Sequence, residues 1–308
     1  MDQFFKMAEI QSVLFLYMLV GYAAGKLGMF KEPARRGFND LLLYVAMPCM
    51  IFQSFDREFT ADTLRQGALI ICVASGISAV AWAFGKVAYN WCPPGERSIM
   101  QYGTLFSNAG FAGLPVIQDA YGAPGLFLAS LFLIPNRILM WSVGVNLFTG
   151  QKAAGKAARR KAIKSVLTNP GILAVEAGFV RMLLQPALPA PLTKAMDTLG
   201  SICTPLSMIV IGLILSAVDL RTVLDKKVFV LMGVRQFLFP LSALFVLRAL
   251  GLDPLTVQVA VVLNGMPVGS STALLADQYG ADSAFASKCV MLSTLTSLVT
   301  IPILTLFF

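Results

Sequence analysis

The chain has 308 residues, of which 57% are hydrophobic and 13% are charged. Because roughly a quarter of the residues in a soluble domain are charged, this composition argues against a soluble helical protein. The formal net charge of +8 does not indicate a nucleic-acid partner, since the basic residues lie in the loops between apolar runs.

Apolar runs of about 20 residues, long enough to cross roughly 30 Å of hydrocarbon, recur along the whole chain. We predict an all-α membrane protein with ten transmembrane helices, near residues 9–27, 38–55, 67–90, 99–118, 124–148, 166–185, 198–217, 228–250, 255–276 and 284–307. The first run is long for a cleaved leader, so we expect it to remain as a signal anchor. The runs are continuous rather than alternating, which argues against a β-barrel.

The sequence also repeats itself. The string DAYGA that begins at Asp119 recurs as DQYGA from Asp277. Further matches at nearly the same spacing are Gly21-Tyr22 with Gly178-Phe179, Pro48 with Pro205, and Gln101 with Gln258. Each half holds five predicted helices, an odd number, so the second half must be inverted relative to the first. We therefore predict one five-helix repeat over 1–148, a linker over 149–165 and an inverted repeat over 166–308.

The loop charges predict the topology. Most of the 24 lysines and arginines lie in loops that follow odd-numbered helices, and the 149–165 linker is the most basic of these loops. Positive residues accumulate on the cytoplasmic side of short loops. We therefore predict that the linker is cytoplasmic and that both termini lie outside a bacterial plasma membrane. The linker is either a topology determinant or a surface helix attracted to anionic lipid.

Asparagine, glycine and proline interrupt predicted helices four and nine. Proline removes an amide donor and obstructs the preceding turn, and backbone groups freed inside a membrane need partners other than lipid. If the two broken helices cross, positive half-helix ends face an anion and free carbonyls face a cation. The alternative is that these residues only permit kinks and close packing. The candidate substrate-binding residues here are Asn108, Gly110, Pro115, Asn264, Pro267, Ser270 and Ser271.

Charged residues inside predicted helices are further candidates for function. Arg137 is predicted to attract an anionic substrate or to satisfy the carbonyls of a broken helix, whereas Arg235 is expected to snorkel to the interface. Glu176 is a candidate proton carrier, because a carboxylate that is buried takes up a proton more readily. Its alternative role is an ion pair with Arg181. Sodium held by carbonyls and hydroxyls near Ser270 is the competing hypothesis for the coupling ion.

Pro48 and Pro205 lie at equal depth in predicted helices two and seven. A proline within a helix kinks it, so we expect both helices to bend around the crossing. The two prolines are either hinges or packing residues.

Five stretches in a fixed order carry a family resemblance: 44–48, 108–115 with Tyr121-Gly122, 140–144, 267–279 and 298–302. Their order resembles that of the auxin efflux carrier family, which includes plant PIN proteins and bacterial permeases proposed to move malate, malonate and related acids. The resemblance implies two inverted five-helix repeats, divided into a scaffold and a transport part that bears the crossing, similar to the bile-acid symporter fold. It also implies that Asn108 contacts substrate and that Pro267 is the crossover proline of helix nine.

Two departures from the plant carriers favour a bacterial type of organic-acid carrier over an auxin carrier. Ser107 stands where the plant proteins have a proline, and only the short 149–165 linker joins the two halves.

We therefore predict a secondary transporter that moves a small organic anion by alternating access in a lipid bilayer. We expect no cofactor, metal or nucleic-acid partner; H⁺ or Na⁺ is the candidate coupling ion, and a homodimer is left open. The alternatives are a membrane sensor that keeps a carrier fold and a channel. The sequence has no histidine and no GxSxG or HExxH motif, which argues against an intramembrane enzyme.

Overall fold

The structure, a computed structural model, describes residues 2–149, 160, 163–164, 166–217 and 225–308. Within these residues it is all-helical, with no strand and one isolated β-bridge. The helices are α1 (Asp2–Lys26), α2 (Glu32–Leu41), α3 (Met47–Ser54), α4 (Ala61–Ala88), α5 (Pro94–Leu105), α6 (Leu114–Leu139), α7 (Val145–Thr149), α8 (Pro170–Leu184), α9 (Ala190–Ser201), α10 (Cys203–Leu215), α11 (Lys226–Met232), α12 (Phe239–Ala249), α13 (Pro254–Gly265), α14 (Ser271–Gln278) and α15 (Ser283–Thr305). π-Helical turns at Leu42–Ala46, Ala109–Gly113, Met140–Gly144 and Gly233–Leu238 adjoin several of them.

The long apolar helices of the structure agree with the prediction of a multi-helix membrane protein. In the described part of the chain, the stretches long and apolar enough to cross a membrane number six: Gln3–Lys26, Ala61–Ala88, Ala109–Thr149, Ala190–Leu215, Lys226–Ala249 and Ser283–Thr305. Other predicted spans fall on shorter or interrupted helices, such as the apolar helix Pro254–Gly265. The number of ten therefore stays a prediction. Most of the 149–165 linker lies outside the described residues.

The glycine of the repeated string has a positive φ in both halves. Gly122 has φ 64° and Gly280 has φ 69°, and the first of these bends the long helical stretch within α6. Only glycine adopts this left-handed conformation without steric cost. The sequence match therefore corresponds to a shared positive φ at the matched glycines.

Helices α1 and α10 pack backbone to backbone through glycine. A Cβ atom added at Gly21 would lie 2.1 Å from the carbonyl oxygen of Ile209, and one added at Gly212 would lie 2.1 Å from that of Met18. Gly178, the sequence counterpart of Gly21, lies on α8, where an added Cβ would lie 2.7 Å from the Phe55 ring. Predicted helix one thus packs through Gly21 on predicted helix seven, and predicted helix six packs through Gly178 on predicted helix two.

The helices form two groups by their contacts. The scaffold group consists of α1–α3 and α8–α10, and the crossing group consists of α4–α7 and α11–α15. The groups meet mainly where α1 packs on α15 and where α3 packs on α6. This interface positions the candidate site.

Pro48 and Pro205 both follow an interruption in their helices. Pro48 is the second residue of α3, directly after the π-helical turn Leu42–Ala46. Pro205 is near the start of α10, which begins just after α9 ends at Ser201. The first turn of a helix tolerates proline because its amides lack helical acceptors. The hinge role of these prolines stays a prediction.

Candidate functional site

The structure brings the two interruptions into direct contact. Helix α5 ends at Leu105 and α13 ends at Gly265. Beyond these ends the chain is extended, and Ser107 pairs with Val268 in an isolated antiparallel bridge. We call residues 106–108 and 266–270 the crossing.

Backbone groups freed by one break are satisfied by the other. The Asn108 amide donates to the Pro267 carbonyl at 2.7 Å, and the Gly269 amide donates to the Phe106 carbonyl at 3.1 Å. Unpaired backbone groups inside a membrane are costly. The reciprocal pairing explains how two unwound segments persist inside an apolar protein.

Side-chain hydroxyls reinforce the crossing. The Ser107 hydroxyl donates to the Leu263 carbonyl at 3.1 Å, and the Ser271 and Tyr102 hydroxyls lie 3.1 Å apart. Ser271 therefore has a protein partner in this structure. Ser270 stands at the N-cap of α14 without a side-chain capping bond.

Asn108 begins the second half of the first broken helix. Its carbonyl accepts from the amides of Ala112, at 3.0 Å, and Gly113, at 3.1 Å. Its side chain is only 6% exposed and makes no hydrogen bond within the described residues. The amides of a helix's first turn carry partial positive charge, so an unpaired carboxamide lies beside a positive helix end.

Arg137 lies over the same helix end. A Cβ atom added at Gly110 would lie 2.8 Å from Nη2 of Arg137, so glycine is what allows the guanidinium to approach the backbone. Arg137 is half-buried and has neither a hydrogen bond nor an ion pair within the described residues. It also lines a cavity of about 10 Å³ with Ser130 and Asn169. The structure therefore places a cation without a partner beside a positive helix end.

Asn264 is in a different situation from Asn108. It lies in the last turn of α13, is 2% exposed, and its Oδ1 accepts from Nη1 of Arg235 at 3.4 Å. Arg235 is 3% exposed and donates also to the Thr104 carbonyl, at 2.8 Å. The expectation that Arg235 snorkels to the interface is wrong, because its guanidinium is buried against these oxygens. No signal in the sequence indicates this contact, because the partner Thr104 lies 131 positions away from Arg235.

The two prolines of the interruptions play different roles. Pro115 is buried near the start of α6, just after the π-helical turn Ala109–Gly113. Pro267 lies in the extended part of the crossing and contributes its carbonyl to the hydrogen bond with Asn108. The structure thus brings Asn108, Gly110 and Pro267 together.

The structure contradicts the burial assumed for Glu176. Its side chain is exposed on α8, because the packed face of that helix is formed by residues such as Val175 and Gly178. Arg181 does not pair with it, but forms an ion pair of 2.7 Å with Asp56. Glu176 is therefore not buried among the other helices, and its role as a proton carrier stays a prediction.

A second cavity, of about 20 Å³, lies beside the crossing between the two helix groups. Gln11 and Met208 line its scaffold side, and Pro267, Thr294 and Ser297 line the other side. A space of this size admits about one water molecule. This space is smaller than an organic anion.

The chain is similar to transporters along almost its whole length. Residues 8–305 match a family model described as membrane transport protein. An "Uncharacterized transporter" of Methanothermobacter thermautotrophicus is 28% identical, over 96% of this chain and 95% of its own. A "Putative malonate transporter" of Rhizobium meliloti is 22% identical, over 96% and 94% of the two chains. The "Uncharacterized transporter" YfdV of Escherichia coli is 23% identical, over 94% of both chains.

Proposed function

Because the chain belongs to the membrane transport protein family, the family of the auxin efflux carriers, and is a transporter, we propose that it carries a small organic anion by alternating access. The plasma membrane is the proposed location. The substrate class is a short carboxylate, which agrees with the name of the Rhizobium relative.

The unpaired Arg137 is the observation that supports an anion most directly. A charge that is partly removed from water is stabilised by a partner of opposite charge. Arg137 lies over Gly110 at the positive start of a half-helix, and within the described residues no carboxylate is paired with it. An anion bound here would compensate both the guanidinium and the helix end. Asn108 would orient it through its free carboxamide.

The position of the site supports alternating access. The crossing and Arg137 belong to the crossing group, and both cavities lie against the scaffold group. A relative movement of the two groups would open the space beside the crossing to one side of the membrane or the other. We propose that the described structure is a closed state.

Matched features support ten helices in two inverted repeats. The glycine turns at Gly122 and Gly280 end corresponding broken helices. Gly21 and Gly178 make corresponding close contacts with the opposite half. Inverted repeats with a site at their interface are common among secondary transporters.

Two ion pairs support the assignment of loops to the same side of the membrane, whereas the orientation itself rests on loop charge. Lys227 pairs with Glu96, and both lie near loops predicted to be cytoplasmic. Arg181 pairs with Asp56 at 2.7 Å, and both lie near the face predicted to be outside. Each contact joins residues assigned to the same side. We propose that both termini are outside.

Malonate binding to purified protein tests the role of Arg137. We expect Arg137→Gln to lower the affinity for malonate at least tenfold, since a hydrogen bond to a charged group contributes about 1.5–3 kcal/mol. Arg65→Gln, at an exposed position on α4, is the matched control and should bind as the wild type does. Equal affinity in the two variants would remove Arg137 from the site. Absence of binding for every mono- and dicarboxylate in a panel would refute the proposed substrate class.

A further inference from the structure

Arg235 is a buried cation that the proposed binding of an anion does not use. It lies in the π-helical turn Gly233–Leu238 between α11 and α12. Nη1 donates to the Thr104 carbonyl at 2.8 Å and to Oδ1 of Asn264 at 3.4 Å. Within the described residues no carboxylate pairs with it.

Both oxygens that Arg235 contacts lie at half-helix carboxyl ends. Thr104 is in the last turn of α5, and Asn264 is in the last turn of α13. The carbonyls of a last helical turn lack helical donors and carry partial negative charge. The guanidinium is therefore balanced by one helix-end carbonyl, that of Thr104, and by the side-chain amide oxygen of Asn264, rather than by a carboxylate. This placement differs from that of Arg137, which lies at a positive helix end without a partner.

Carbonyls at such ends are the groups with which broken-helix carriers hold a transported cation. Here the carboxyl end of α5 is bonded by Arg235, and the Leu263 carbonyl of α13 accepts from the Ser107 hydroxyl at 3.1 Å. Arg235 itself presents positive charge where a metal cation would need to approach. One carbonyl at each of the two ends thus has a donor from the protein itself.

We propose that Arg235 is the built-in cation of the crossing, and that it occupies the place of a transported sodium ion. The anion then moves without sodium coupling. The transport part of this inference rests on the proposed function. Whether a cation binds at this position can be measured without transport, from the melting temperature.

The wild-type protein provides the first test. Malonate exchange in proteoliposomes and the melting temperature of the purified protein are compared in sodium chloride and choline chloride at equal ionic strength. We expect no difference in either quantity. A several-fold stimulation of exchange by sodium, or a higher melting temperature in sodium at that ionic strength, would overturn the proposal.

Arg235→Ala provides the second test, because it removes the cation and leaves its oxygen partners. We expect exchange to be lost and to be restored by guanidinium or methylguanidinium at millimolar, non-denaturing concentration. Arg235→Lys, which retains a positive charge, should keep part of the activity. Arg248→Ala, at an exposed position of α12, is the control and should exchange normally without a response to guanidinium. Wild-type exchange by Arg235→Ala without any added cation would contradict the inference.

The melting temperature separates this inference from the proposed function. If the wild type exchanges no carboxylate, the proposed function fails, whereas the cation position can still be tested. The inference then predicts that guanidinium raises the melting temperature of Arg235→Ala but not that of the wild type. An Arg235→Ala protein that folds and shows no such response would refute the built-in cation. If Arg235→Ala does not fold, the melting temperatures of the wild type and of Arg235→Lys in sodium chloride and choline chloride provide the test. A melting temperature that depends on sodium in either protein would refute the inference.

Discussion

Individual residues at the crossing are more specialised than their positions in the sequence suggest. Asn108 and Asn264 lie beside matched interruptions, so the sequence predicts the same role for both. In the structure, Asn108 follows its break and has a free carboxamide, whereas Asn264 precedes its break and accepts from Arg235. The difference depends on a partner from another helix, which no local pattern indicates.

This difference leads to opposite predictions for two leucine variants. Asn108→Leu should lower the affinity for malonate at least tenfold and leave the melting temperature of the unliganded protein unchanged. Asn264→Leu should lower the melting temperature, because loss of an acceptor for a buried donor costs about 1–3 kcal/mol. Calorimetric titration and thermal unfolding measure the two effects. Full malonate affinity in Asn108→Leu, or an unchanged melting temperature in Asn264→Leu, would contradict these assignments.

Glu176 and Arg235 show why residue-level prediction was incomplete. Both lie in apolar stretches, yet one is exposed and the other is buried. Helix periodicity alone does not say which face of a membrane helix meets lipid and which meets protein, because both are apolar. Only the packing of the helices settles the environment of each charge.

At the scale of helices, glycine decides how closely the elements pack. Apolar run length was enough to predict a helical membrane protein. It was not enough to predict uninterrupted spans, since π-helical turns and the crossing divide several runs. These interruptions are held by contacts between distant segments, such as the Ser107–Val268 bridge.

The contact between α1 and α10 makes Gly21→Ala a sensitive test of this packing. An added methyl group would lie 2.1 Å from a backbone oxygen, so the two helices must separate. Overpacking of this kind typically costs about 1–3 kcal/mol, and the melting temperature should fall. Gly76→Ala in α4 is the control, because nothing lies within 4 Å of its added Cβ. That variant should be neutral or slightly stabilising, since alanine favours a helix over glycine. Equal melting temperatures for the two variants would contradict the close contact.

At the scale of the whole molecule, the orientation in the membrane depends on charge bias alone. We expect an impermeant maleimide to label Lys194→Cys in intact cells and to label Lys31→Cys only after lysis. Both positions are exposed. The background must lack the native cysteines Cys49, Cys72, Cys92, Cys203 and Cys289. The reverse labelling pattern would invert the proposed topology.

The proposed mechanism requires that substrate bound on one side of the membrane drive the transport of substrate from the other side. A carrier with a closed site between two helix groups must exchange its anion through one binding position, whereas a channel need not. Paired helix breaks and repeated motifs in the sequence predicted a carrier. The structure adds a candidate anion-binding residue, Arg137, which lies over Gly110.

Counterflow of malonate in proteoliposomes tests this central claim most directly. Vesicles loaded with excess unlabelled malonate should take up external labelled malonate transiently above its equilibrium level, with a saturable initial rate. Arg137→Gln should abolish the overshoot when malonate is supplied near the concentration that half-saturates the wild type. Flux that rises linearly with concentration and shows no overshoot in the wild type would contradict a carrier mechanism.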